Sequence, residues 1–257
     1  MPRSGRKGSL FRKVALSLWS RDGDPSVYSL VDLDVTNLKE KSLLLAVLLK
    51  AIAETREKNP ELNTMLRWGR IFRRSDKSIS IMINIPGTRF DDLSALYLDD
   101  AHLMSVKEIQ LRLSSKTESI RQERDPHLGP VLRIVNLVPQ PILKFFLKIY
   151  SFMIYEVGTR LGVRFLPYRP FGSIIVSNIG SLGIKNALLP LVPLARAALL
   201  VSVGKISSEA KVFNAEICAR QIVQLGVTFD HRLFDGSHAA KMLRDFESEF
   251  EKFAMAE

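Results

Sequence analysis

The sequence predicts one α/β (α+β) domain: a mixed β-sheet flanked by helices. Three observations carry that expectation. Strand-like and helix-like periods follow one another along the whole chain. No internal repeat, low-complexity linker or composition break marks a domain boundary. The 257 residues, 46% of them hydrophobic, are enough for one sizeable core. The expected organisation is a basic tail over residues 1–9 and a single domain over 10–257, with an apolar insertion at about 127–170.

Taken in order, Leu10 to Ser20 is compatible with a short helix. Tyr28 to Val35 reads as a half-buried strand, because Val31, Leu33 and Val35 interleave with Asp32 and Asp34. Asn37 followed by Glu40 resembles a capping box, and the next twenty or so residues have a broad apolar face that Asn59-Pro60 ends. Met65 to Arg73 is read as one strand. Ile79, Ile81, Ile83 and Ile85 alternate with Ser80, Met82 and Asn84 in another, and Leu93 to Leu98 is a third. Ser105 with Glu108 forms a second capping box, opening a helix with Val106, Ile109, Leu113 and Ile120 on one side. From His127 to Pro170 prolines punctuate very apolar segments. Strands then return at Ser173–Ser177, Ala197–Val203 and Ala215–Phe229. A final helix over Ser237–Phe253 aligns Ala239, Leu243, Phe246, Phe250 and Phe253 on one stripe.

Lysine and arginine outnumber aspartate and glutamate by 37 to 27, a formal charge of +10. Such a field favours anionic ligands without choosing among coenzyme phosphates, nucleic acid and lipid. No zinc spacing, RNA-recognition motif or basic-aromatic pattern supports nucleic acid, so no nucleic-acid partner is expected. The four histidines are scattered and none sits at metal-ligand spacing, so no metal is expected either. Cys218, the single cysteine, excludes an internal disulfide framework and reads as a buried structural thiol, which points to a reducing cytoplasm. The Arg- and Ser-rich N-terminus can imitate a transit peptide, against its competing role in the Leu10–Ser20 helix. No apolar run is long enough to span a bilayer without charges.

The most informative run is Phe229-Asp230-His231-Arg232-Leu233-Phe234-Asp235-Gly236. A histidine leaves a strand, and four residues later an Asp-Gly turn opens a helix. At a strand end His231 faces a loop-lined cleft, where an imidazole suits proton transfer. Asp235 is placed as an N-cap, and Gly236 permits the tight turn.

His-x-x-x-Asp-Gly within Asp-His-Arg resembles the signature of the dihydrolipoyl acyltransferase catalytic domain of 2-oxo acid dehydrogenase complexes, whose fold chloramphenicol acetyltransferase shares. Ile175-Val176-Ser177-Asn178-Ile179-Gly180 followed by Leu182-Gly183-Ile184 is similar to a second segment of that family. Arg12-Lys13-Val14-Ala15 resembles its opening helix, and Val31 to Val35 its first strand. The resemblance covers about residues 10 to 253.

It implies a chloramphenicol acetyltransferase-like, trimer-forming fold and a coenzyme A-dependent acyltransferase. His231 would deprotonate an acceptor thiol, dihydrolipoyl or other, and the thiolate would attack the thioester of an acyl-CoA. Ser177 would donate its hydroxyl to the oxyanion, and Asp235 would support the histidine. The resemblance also implies that His231 and Ser177 come from neighbouring subunits of a homotrimer. Coenzyme A enters as the acyl-CoA substrate, and its contacts cannot be assigned from the sequence. Asn178 and Arg232 read as structural; His102, His127 and His238 match no motif and read as surface or core residues.

Two departures from the family pattern stand out. The core begins about ten residues into the chain, leaving no room before it for a lipoyl or subunit-binding domain, so a lipoyl group is expected only in trans. The stretch from His127 to Pro170 is longer than the family's, with Lys144 and Lys148 set among Phe145, Phe146, Leu147, Ile149, Phe152 and Met153. It reads as extra core or a trimer contact, as a membrane-surface or partner-binding helix, or as a lid over a long acyl chain. The competing function is a non-catalytic trimeric scaffold or a membrane-surface binding relative, against which intact Ser177, His231 and Asp235 argue. The expected location is the cytoplasm, with peripheral membrane contact as the variant.

Overall fold

The structure, a computed structural model, describes residues 24–85, 92–123, 139–158, 171–192 and 195–256. The tail and the Leu10–Ser20 helix expected from the sequence lie outside these, as do 124–138 and 159–170 of the apolar insertion.

Alternating apolar residues build the central sheet. Its strands are β1 (Ser26–Asp34), β4 (Ile79–Ile85), β5 (Asp92–Leu98), β6 (Ile174–Asn178), β7 (Leu199–Val203), β8 (Ser207–Phe213) and β9 (Glu216–Asp230). They run in the order β1-β9-β7-β6-β4-β5, with β8 paired to the first half of β9. The contacts of β6 with β4 and β7 are parallel, and the rest are antiparallel. The sheet is therefore mixed, as expected.

One sheet face carries Val31, Leu33, Ile79, Ile81, Val176, Val201, Leu225 and Val227 into a single core with three helices. These are α1 (Leu44–Lys58), α2 (Val106–Glu123) and α4 (Gly236–Ala256). Helix α1 is buried along most of its length because it lies under both α2 and α4. Helix α4 spends Ala239, Met242, Phe246 and Phe250 on the core; truncating one such phenylalanine to alanine typically costs about 3–5 kcal/mol.

The opposite sheet face is covered by the chain that follows β6. Ser202 Oγ donates to Ala187 O, and Thr228 Oγ1 donates to Leu189 O at 2.7 Å, tying residues 187–189 flat against β7 and β9. Glycines make that approach possible: a Cβ on Gly226 would sit 2.3 Å from Ala187 O, and one on Gly204 would sit 1.8 Å from Lys185 O.

Several local expectations change. The Ser105–Glu108 capping box forms, with Ser105 N donating to Glu108 Oε2 at 2.7 Å and Glu108 N donating to Ser105 Oγ at 3.2 Å. The Asn37–Glu40 box does not form. Lys41 Nζ instead donates to the carbonyls of Val35, Thr36 and Leu38, and the chain enters α1 through a 3-10 turn. Met65 to Arg73 is two strands, β2 (Thr64–Arg67) and β3 (Arg70–Arg73), because Trp68 and Gly69 both take positive φ and reverse the chain. Strand β8 was not anticipated; Asn214 and Ala215, also at positive φ, turn it into β9. Cys218 is only half-buried rather than a core thiol, since it lies on the β8–β9 arm beyond the covered part of the sheet.

Helix α3 (Gln140–Ser151), continued by a π turn over Phe152–Val157, answers only part of the extra-core reading. Tyr150, Ile154 and Tyr155 turn inward against Met65, and Tyr155 Oη donates to Ala195 O at 2.9 Å. Its other apolar face is exposed.

Candidate active site

The segment from Asp230 to Asp235 owes its shape to one buried carboxylate. Strand β9 is held on both sides, by β1 and β7, up to Asp230, whose N–H donates to Ala198 O. Asp230 O then accepts from Leu233 N at 2.9 Å and Phe234 N at 3.1 Å, closing a turn anchored by two buried side chains. Arg232 folds back on the same residue: its N and Nε donate to Asp230 Oδ1, both at 2.9 Å, and its NH2 donates to Oδ2 at 2.7 Å. This bidentate pair is a strong, geometrically specific contact. It gives Asp230 and Arg232 the structural part assigned to Arg232 from the sequence.

His231 lies between the two clamped residues. Its own N–H donates to Pro25 O at 3.0 Å, pinning it to the start of β1. The residue is half-buried at the end of the strand, on a fixed backbone and with its ring Nδ1 shielded from solvent.

Asp235 caps α4. Its Oδ1 accepts from His238 N at 3.0 Å, from Ser237 Oγ at 2.7 Å, and faces His238 Nδ1 at 2.5 Å. Burial works against ionisation here. The hydrogen bonds from Ser237 and His238 outweigh it, holding the carboxyl well below the usual carboxylate range. His238, read as an ordinary surface or core residue, is thus Asp235's partner. The signal available was its position three residues after a capping aspartate, where a donor side chain meets the cap.

Ser177 is half-buried on β6, with Met82 of β4 on one side and Ser202 of β7 on the other. It shares the sheet face of Ile175, away from α1 and α4. Just after it Ser181 Oγ donates to Asn178 O at 2.7 Å and Ser181 N to Asn178 Oδ1 at 3.3 Å, which gives Asn178 the structural role expected of it. Gly180 lies so close to Gly204 that a Cβ would meet its carbonyl oxygen at 2.5 Å.

The register measures how far apart the two motifs lie. Ser177 is level with Ser202, and Ser202 is level with Gly226. His231 is five residues beyond Gly226 on an antiparallel strand. Two strand spacings and five residues of rise separate the backbones of Ser177 and His231 by about 20 Å. Within one chain they stand at opposite ends of the sheet and are not brought together. Among the described residues, no group of three or more His, Cys, Asp or Glu is placed to hold a metal.

This fold, with a histidine at the end of its longest strand, is that of the acyltransferase cores. Residues 171–256, which span both motifs, match the family described as 2-oxoacid dehydrogenases acyltransferase (catalytic domain). No curated protein sequence matches the chain. Among solved structures, a probable dihydrolipoamide acetyltransferase from Listeria monocytogenes is similar with a TM-score of 0.64 at 19% identity, covering 98% of this chain and 95% of that one. The dihydrolipoamide acetyltransferase of Azotobacter vinelandii, in which the catalytic roles of a serine, a histidine and an asparagine were investigated, gives 0.60 at 16%, covering 93% and 85%. A chloramphenicol acetyltransferase gives 0.52 at 12%, covering 95% and 94%. The chain resembles this family in fold throughout and in sequence over its last third, and the match supports an acyltransferase.

Proposed function

We propose that the protein moves an acyl group from a coenzyme A thioester to an acceptor thiol, at sites shared between copies of the chain. The observation that carries this reading is the separation of about 20 Å between Ser177 and His231 within one chain. A base and an oxyanion donor must flank one carbonyl, each near 3 Å from its own reacting atom. A single chain cannot bring these two together, so the site is completed by a neighbour, and a homotrimer is the arrangement we infer.

In this reading His231 removes the proton from the acceptor thiol. The thiolate adds to the thioester carbonyl, and the Ser177 hydroxyl donates to the oxyanion that forms. Collapse of the intermediate expels the coenzyme A thiolate, which takes the proton back from the His231 imidazolium. The acyl group ends on the acceptor and free coenzyme A leaves. Asp235 fixes the start of α4 beside the histidine. It stands four residues after His231, the same spacing that separates the investigated histidine and asparagine of the Azotobacter protein. The acceptor is a dihydrolipoyl group offered in trans or another thiol. We place the enzyme in the cytoplasm, a reducing compartment that suits a chain with a single cysteine.

The test follows acyl transfer from acetyl-, butyryl- and longer acyl-CoA to free dihydrolipoamide, separating the thioesters chromatographically. Transfer that falls at least a hundredfold in His231→Ala supports the reading. A folded wild-type protein that transfers no acyl group to dihydrolipoamide removes the lipoyl acceptor. Failure with other small thiols as well favours the scaffold.

A further inference from the structure

Helix α3 and its π turn present two apolar faces. The inward one is accounted for by Tyr150, Ile154 and Tyr155. The outward one is a continuous stripe of Ile142, Phe145, Phe146, Ile149, Phe152 and Met153, all exposed, with Phe145 62% and Phe146 59% accessible. Their spacing of three, four and seven residues puts them on one side of the helix. The tip of the β2–β3 hairpin extends the stripe: Trp68, 57% exposed, meets Phe152 edge-on at 5.6 Å between ring centroids. The hairpin and helix are fastened together. Trp68 Nε1 and Arg67 Nε both donate to Glu156 O, at 2.8 and 2.9 Å, so the aromatic patch is built on a fixed support.

The exposed charged side chains described on the hairpin and α3 have one sign. Between Asp125 and Glu209 the sequence contains one acid, Glu156, against nine lysines and arginines. Glu156 is turned inward, where it pairs with Arg196 at 2.7 Å and accepts from Trp68 N at 2.6 Å. Strands β2 and β3 and their turn contain no acid at all, while Arg70 and Arg73 are exposed on them and Lys148 is exposed on α3.

We propose that this face docks on an anionic lipid surface, with the aromatic stripe entering the headgroup region and Lys148, Arg70 and Arg73 meeting acidic headgroups. An amphipathic helix lying in the membrane plane, with aromatic anchors and basic flanks, is the chemistry such a surface selects. Contact with the same face of a second copy would set these cations against one another. Anionic headgroups neutralise them instead. The proposal goes beyond acyl transfer and does not depend on it, since the face involves neither Ser177 nor His231.

The experiment is flotation of the full chain with vesicles of pure phosphatidylcholine and of equal parts phosphatidylcholine and phosphatidylglycerol. It is run at about 0.1 M and about 1 M salt, where the Debye length falls from about 10 Å to about 3 Å. The expected result is binding to the anionic vesicles only, weakened by salt, and at least tenfold weaker in Phe145→Ser/Phe146→Ser. That variant changes exposed side chains only, and its assembled mass and acyl transfer in solution should be unchanged. Wild-type protein that stays with neither vesicle overturns the proposal. So does a double variant whose assembled mass collapses, because the face is then a contact between copies.

Discussion

Two damaged chains should repair each other. Under the proposed mechanism Ser177→Ala would remove one oxyanion donor, a loss of about 10²- to 10³-fold in rate, and His231→Ala would remove the base, about 10²- to 10⁴-fold. Each variant alone should therefore run at about 1% of wild type or less. With the two residues about 20 Å apart in one chain, the proposed mechanism has each site take its serine from one copy and its histidine from the next. When the two variants are co-expressed in equal amounts and assemble at random, a site is intact only if its serine comes from a His231→Ala chain and its histidine from a Ser177→Ala chain. That happens for about one site in four in any closed ring of copies. The mixture should recover about a quarter of wild-type transfer, far above the sum of its parts. Different affinity tags on the two variants, purified in tandem, establish that hybrid assemblies are present. Hybrids no more active than either variant alone would refute the shared site.

Further outcomes follow from the same geometry. Asp235→Ala should cost about 1 kcal/mol through loss of the α4 cap, and Asp235→Asn much less, as read by urea unfolding. Because the Asp235 carboxyl is held below its ordinary 3.8, its contribution is complete above that pH and is lost as pH falls through the lower folded value. Unfolding curves should therefore show wild type losing stability relative to Asp235→Asn only below about pH 4. Gly226→Ala should destabilise by about 1–3 kcal/mol, since its Cβ meets Ala187 O and Ser202 Oγ and residues 187–189 must lift off the sheet. Arg196→Met should cost about 3–5 kcal/mol by removing the cation facing the buried Glu156 carboxylate, with a shift in Trp68 fluorescence reporting release of the hairpin.

The strands of the sheet other than β8 were legible from their apolar patterning, and α2 because its capping reciprocity is local, between Ser105 and Glu108. What failed was decided at longer range or by backbone conformation. The Asn37–Glu40 box was displaced by Lys41, whose ammonium gathers three carbonyls from the preceding turn. The β2–β3 and β8–β9 reversals depend on positive φ at Trp68-Gly69 and Asn214-Ala215, where a residue suited to that conformation is paired with a Trp or Ala that rarely adopts it, so neither pair announces its turn as Asn-Gly would.

The same division runs through the site. The sequence alone determined its chemical groups: Phe229 to Gly236 presents a histidine at a strand end and a cap four residues later, and Ser177 lies in a second recognisable segment. Both are local patterns, set by strand period and helix capping. Only the tertiary structure decided that Asp230 and Arg232 clamp the histidine's neighbours, that Asp235 faces His238, and that Ser177 and His231 stand at opposite ends of the sheet. Likewise the apolar residues of α3 outnumber its two lysines and fall on more than one side, and only packing chose which of them are buried. Strand order, direction and register are set by which apolar surfaces meet across the whole chain, and no window of neighbouring residues contains that information.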